Sequence, residues 1–206
     1  MQLTLPRALL ILAALAAAVT GFYVARQIDR TSPQLASGTW FPERWRVADF
    51  RLTDSAGQDF TLARLSGAPT LLFFGFTHCP DVCPTTLLKL ARVRKAAAIP
   101  DLKVLFVSID PQRDTPEVIA RYVHAFDPQF EGVTGEPAAI DALARRFNVA
   151  VNRVELPGGD YTMDHSAVVF LLDANARVVA IFTPPFDEKL MAVDLKASAP
   201  YLQGRH

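Results

Sequence analysis

Apolar and polar positions fall into distinct blocks along this chain. Residues 70–76, Thr-Leu-Leu-Phe-Phe-Gly-Phe, form a short apolar run without alternation, the pattern of a strand buried on both faces. Residues 104–109, Val-Leu-Phe-Val-Ser-Ile, repeat that pattern. Between them, residues 84–98 show helical spacing. Leu87, Leu88, Leu90, Ala91 and Val93 make an apolar stripe, and Lys89, Arg92, Arg94 and Lys95 lie off it. Thr115 reads as an N-cap, with Pro116 at the first helical position and Glu117 next, opening a helix to about Phe126. A further helix is expected over 138–147, with Ile140, Leu143, Ala144 and Phe147 on one face. Residues 167–172 and 177–182 read as strands joined by Asp173-Ala174-Asn175-Ala176, a hairpin-like connection. A helix over 187–202 closes the chain.

The N-terminus breaks this rhythm. Residues 8–25 carry no charge, with Arg7 before them and Arg26 and Arg30 after. As a helix they reach about 27 Å, close to the roughly 30 Å of a bilayer core. One N-terminal transmembrane helix, residues 1–26, is therefore expected. A cleaved signal peptide is the alternative, because Ala16-Ala17-Ala18 offers a small-residue cleavage site. Either reading puts the remainder on the exported side, the periplasmic face of a bacterial inner membrane. Residues 27–44 read as a linker, with Thr31-Ser32-Pro33 and Ser37-Gly38, and residues 45–206 as the domain. Trp40, Phe41 and Trp45 imply that the far end of the linker packs on that domain.

Strands separated by helices predict parallel crossover units, and the final hairpin adds antiparallel strands. The expected fold class is α/β, in the layout of a thioredoxin-like fold: a central mixed sheet flanked by helices, preceded by the transmembrane helix. Composition fits one packed domain, with 50% hydrophobic and 20% charged residues among 206. The 21 basic and 21 acidic residues cancel. No basic cluster alternates with aromatics, so the sequence carries no nucleic-acid footprint.

The chemistry concentrates in Gly75-Phe-Thr-His-Cys79-Pro-Asp-Val-Cys83-Pro, which holds both cysteines of the chain. They fall where the first buried strand ends and the first helix begins, with Cys83 at or near the N-cap. Free N–H groups and the helix dipole favour a thiolate there. A thiolate is both a redox nucleophile and a soft metal ligand. A structural disulfide across so short a loop would stabilise little. Ordinary dithiol exchange generally uses Cys-x-x-Cys, and here the gap is one residue longer.

Of the four histidines, His206 is terminal, His124 lies inside a helix, and His78 precedes Cys79 without having to share its direction. His165, in Asp164-His165-Ser166, stands directly before an apolar strand, where loops gather. Asp164 is placed to orient it through a hydrogen bond. Asp110 and Asp114 read as structural, the first ending a strand before Pro111 and the second preparing the helix start with Thr115.

The single N-terminal span and three motifs together resemble the Sco/SenC family of copper-binding assembly proteins: the motif around Cys79 and Cys83, Val107-Ser-Ile-Asp110-Pro-Gln-Arg-Asp114-Thr-Pro, and Asp164-His165-Ser166 before a hydrophobic strand. The likeness runs from 45 to 202. It implies a thioredoxin-like fold and copper, Cu(I) or Cu(II), held by Cys79, Cys83 and His165. It further implies delivery to the copper-site subunit of cytochrome c oxidase, with a thiol reductant and another copper donor protein as further partners. Such a protein is a chaperone rather than an enzyme. The alternative is a thiol–disulfide oxidoreductase that keeps client cysteines reduced. A thiol peroxidase is a third reading, weakened because Thr77 stands two residues before Cys79 rather than three. The stretch 151–160, with Pro157-Gly158-Gly159, is short for the family and bears on how His165 is presented.

Overall fold

The computed structural model describes residues 5–28 and 32–203, so His206 lies outside the described residues. The chain divides into two compact units, Met1–Pro33 and Gln34–His206. In the first, α1 covers Leu5–Ile28. Among the described residues no helix is long and apolar enough to cross a membrane. The expected transmembrane helix is corrected accordingly, and with it the membrane-anchored, periplasm-facing placement that rested on it.

The second unit is a mixed β-sheet flanked by helices. Its elements are β1 (Gly38–Arg46), β2 (Arg51–Asp54), β3 (Asp59–Thr61), α2 (Leu62–Leu65), β4 (Thr70–Gly75), α3 (Val82–Ala97), β5 (Lys103–Ser108), α4 (Pro116–His124), β6 (Glu131–Thr134), α5 (Pro137–Arg146), β7 (Val151–Glu155), β8 (Tyr161–His165), β9 (Val169–Leu172), β10 (Arg177–Phe182) and α6 (Glu188–Ser198). Eight strands form one sheet in the order β1-β10-β9-β4-β5-β6-β2-β3, and β7 pairs with β8 in a separate two-stranded sheet. β4 is parallel to β5, and β5 to β6, as helical crossovers require; β9 and β10 return antiparallel.

All six residues of β4 are buried, which is what its unbroken apolar run demands. Leu71, Phe73 and Phe106 join Leu87 and Leu90 of α3 in the main core. The start of α4 matches its sequence signature: Thr115 caps Val118 N–H and Pro116 opens the helix. The chain from 38 to 46, where the far end of the linker is expected to pack on the domain, pairs as a strand with β10. Its register shifts between Trp40 and Trp45, and that irregularity accommodates Pro42, which cannot donate to a ladder. Asp194 of α6 ties down the entry to β1, accepting the N–H groups of Ala36, Ser37 and Gly38 at 2.7, 2.7 and 3.0 Å.

Candidate metal centre

The carboxyl end of β4 opens onto the cysteine loop. Cys79 N–H donates to the Phe76 carbonyl at 3.2 Å, turning the chain sharply after the strand. α3 then begins with Asp81 at its N-cap, but no side chain of Asp81 caps it. Cys83 therefore lies in the first turn rather than at the cap. Its N–H, one of the groups a cap would satisfy, donates to Cys79 Sγ at 3.4 Å. The sulfur of Cys79 thus stands where a capping acceptor belongs.

This geometry splits the two thiols chemically. The hydrogen bond from the Cys83 thiol, helped by the Cys83 and Asp81 N–H groups, holds Cys79 down to about 5, against the opposing pull of partial burial. Cys83 moves the other way, because it donates to Cys79 and is buried. Both are free thiols. Gly75 admits the buried sulfur: a Cβ there would lie 3.0 Å from Cys83 Sγ and 2.8 Å from the Phe106 ring.

The loop is pinned from beneath by Asp114, which is fully buried. It accepts the Thr77 hydroxyl at 2.6 Å, the Thr77 N–H at 3.1 Å and the Ser108 hydroxyl at 2.6 Å. Burial raises its pKa while these donors oppose the rise. Asp114 is structural, as expected, but it turns inward to the cysteine loop and leaves the helix start to Thr115. Asp110, also buried, accepts the Tyr161 hydroxyl at 2.7 Å.

His165 arrives on β8. Its Nε2 lies 3.6 Å from Cys83 Sγ, across 82 positions of sequence. The rings of Phe73 and Phe76 meet it edge-on, each with centroids 6.1 Å away. Burial lowers its pKa, so the imidazole is neutral and its nitrogen lone pair is available. The Ser166 carbonyl, 3.2 Å from Nδ1, accepts from the ring and directs Nε2 toward the sulfur. Asp164 was expected in that role; it is exposed, because alternation along β8 turns it to the opposite face from His165.

The structure thus brings Cys83 to both Cys79 and His165. Among the described residues, no group of three or more His, Cys, Asp or Glu side chains is gathered closely enough to hold a metal ion outright. His78 is exposed, with Nδ1 3.2 Å from the Thr77 hydroxyl and 3.9 Å from Asp114. His124 ends α4 and is exposed. Ser108 and Tyr161 escaped the sequence reading, and Thr77 entered it only in the peroxidase comparison. Only Tyr161 carried a signal, the alternation of Tyr161, Met163 and His165 on one strand face.

The SCO1/SenC family model matches residues 43–199. The chain belongs to the SCO1/SenC family. Protein SCO1 homolog 1, mitochondrial, of Arabidopsis thaliana is 37% identical over 137 residues, which is 65% of this chain and 41% of that protein's length. Among solved structures, ScoI of Bradyrhizobium japonicum with copper bound is 41% identical, with a TM-score of 0.67 over 74% of this chain and 98% of that one. Arabidopsis thaliana ScoI with copper bound is 34% identical, with a TM-score of 0.72 over 76% of this chain and 100% of that one.

Proposed function

We propose that this protein is a copper chaperone. It holds copper through Cys79, Cys83 and His165 and delivers it to, or helps assemble, the copper centre of cytochrome c oxidase. The observation that carries the reading is the 3.6 Å between Cys83 Sγ and His165 Nε2. A first-row ion with metal–sulfur and metal–nitrogen bonds of about 2.3 and 2.0 Å, opened by about 110–120°, sets its two donors about 3.5–3.7 Å apart. The donor types agree: thiolates select Cu(I), and imidazole serves both oxidation states. Cys79 is already a thiolate at neutral pH, and binding displaces the proton of Cys83. Three donors leave one side open, so the cargo can pass by ligand exchange to another set of cysteines and histidines; zinc normally demands a fourth ligand. The copper-bound ScoI relatives support the same cargo.

Anaerobic titration of the reduced protein with Cu(I) tests this. Wild type binds close to one equivalent, Cys83→Ser abolishes tight binding, and His165→Ala weakens it at least tenfold. Unchanged binding in both variants would overturn the assignment.

The asymmetry of the thiols favours a second reading, a thiol–disulfide oxidoreductase acting on client cysteines. The Cys79 thiolate attacks a client disulfide and forms a mixed disulfide, releasing one client thiolate. Cys83 then attacks Cys79, freeing the second client thiol and leaving a Cys79–Cys83 disulfide. Two electrons pass to the client, and a thiol reductant must restore the pair. This activity requires both cysteines and is indifferent to His165→Ala, so the two readings separate on that variant.

A further inference from the structure

The network that pins the cysteine loop also reaches the histidine strand. Tyr161, Met163 and His165 share one face of β8, since alternate residues of a strand point the same way. Tyr161 is the first residue of that strand and His165 the last. The Tyr161 hydroxyl donates to Asp110 Oδ1 at 2.7 Å. Its ring meets two guanidinium groups, those of Arg113 and Arg153, each 3.7 Å from the centroid, so the ring is sandwiched. Arg113 also donates from Nη1 to the Tyr161 carbonyl at 2.9 Å and from Nε to Asp110.

From Asp110 the hydrogen bonds continue. Asp110 N–H donates to the Ser108 hydroxyl at 3.0 Å, and that hydroxyl donates to Asp114, which holds Thr77. Ser108, Asp110 and Asp114 are all buried. An unbroken path therefore joins a residue two positions before Cys79 to a residue four positions before His165. Among the described residues β7 and β8 pair only with each other, so no main-sheet ladder there fixes where the hairpin stands. Beyond the short link to β9, side-chain contacts position it, and the Tyr161 clamp supplies those at the foot of the histidine strand.

We propose that Tyr161, hydrogen-bonded to Asp110 and clamped between Arg113 and Arg153, is a positioning residue for His165. It sets the separation at which the imidazole meets the Cys83 sulfur. The inference rests on the copper reading for its consequence, and its geometric content is independent of metal.

The test uses the full chain. Tyr161→Phe removes the hydroxyl and keeps the sandwiched ring; Tyr161→Leu removes both. In the metal-free protein, the His165 ring resonances shift and broaden in Tyr161→Phe, and more so in Tyr161→Leu. In the copper-loaded protein, transfer to a competing chelator quickens about fivefold in Tyr161→Phe, the order expected for one lost hydrogen bond. Combining Tyr161→Phe with Thr77→Val gives less than the product of the single effects, because both cut one path. Resonances and transfer rates equal to wild type, beside a lowered Tm, would show a merely structural residue and overturn the proposal. If the metal-free resonances move while wild type binds no copper, the positioning role stands and the copper reading falls.

Discussion

The cysteine loop and the β7–β8 hairpin meet at one point from opposite kinds of scaffold. The loop leaves β4, a central strand buried along its whole length, and enters α3, which packs against α6. Its own backbone is tied by Asp114 from below. The hairpin is a sheet of only two strands, and four of the five residues of β7 are exposed. Isolated two-stranded ladders are marginal in water, so its position depends on a handful of side chains. The thiol half of the site is thus preset by the core, and the imidazole half is set by a clamp. On the proposed chaperone reading, the second half is the cheaper one to move for release of the ion.

The largest effect that separates the halves is expected beneath the cysteine loop. Asp114→Ala leaves the buried Ser108 hydroxyl and the Thr77 N–H without their acceptor. A cost of about 3 kcal/mol follows, read by urea denaturation. A cost below about 1 kcal/mol would mean the loop does not depend on this anchor.

The next concerns the thiols themselves. Cys79 sits at about 5 in the folded protein, below the ordinary 9.0, so folding favours its thiolate. Its contribution to stability is complete above the unfolded pKa and fades as pH falls through about 5. Alkylation of Cys79 by iodoacetamide should stay level from about pH 7 to 6 and halve near pH 5. Cys83→Ser should move that midpoint upward, because the Cys83 thiol is the first cause of the depression. A wild-type midpoint near 8.5 would contradict the capping geometry.

The smallest effect lies in the hairpin. Arg153 is exposed and stacks on Tyr161. Arg153→Ala should cost only about 0.5–1 kcal/mol. A loss above about 2 kcal/mol would show that the hairpin is held as firmly as the loop, and the contrast would fail.

The same contrast governs what could be read from sequence. β4 and β5 announce themselves by unbroken apolar runs, and α4 by Thr115 and Pro116, because burial and capping act locally. The hairpin from Asp173 to Arg177 was likewise visible, closed by Ala176 N–H to the Asp173 carbonyl at 2.9 Å. β1 was not, since Pro42 and mixed burial disguise a strand whose partner lies far along the chain. The hairpin of β7 and β8 leaves little trace in the sequence, because β7 is mostly exposed and β8 half-buried, so neither strand shows strong hydrophobic contrast. Cys79 and Cys83 stand out by their spacing at a strand end. That His165 meets Cys83 is a tertiary fact, and physical reasoning on the residues alone did not yield it. The Asp164 expectation failed for a local reason: strand alternation faces it away, and a backbone carbonyl takes its place.

The central claim is that one ion bridges the two scaffolds. The absorption spectrum of the Cu(II)-reconstituted protein, compared with His165→Ala, tests it most directly. A sulfur-to-copper charge-transfer band present in wild type and lost or strongly shifted in His165→Ala is the predicted result. An identical band at identical copper content in both proteins would contradict it.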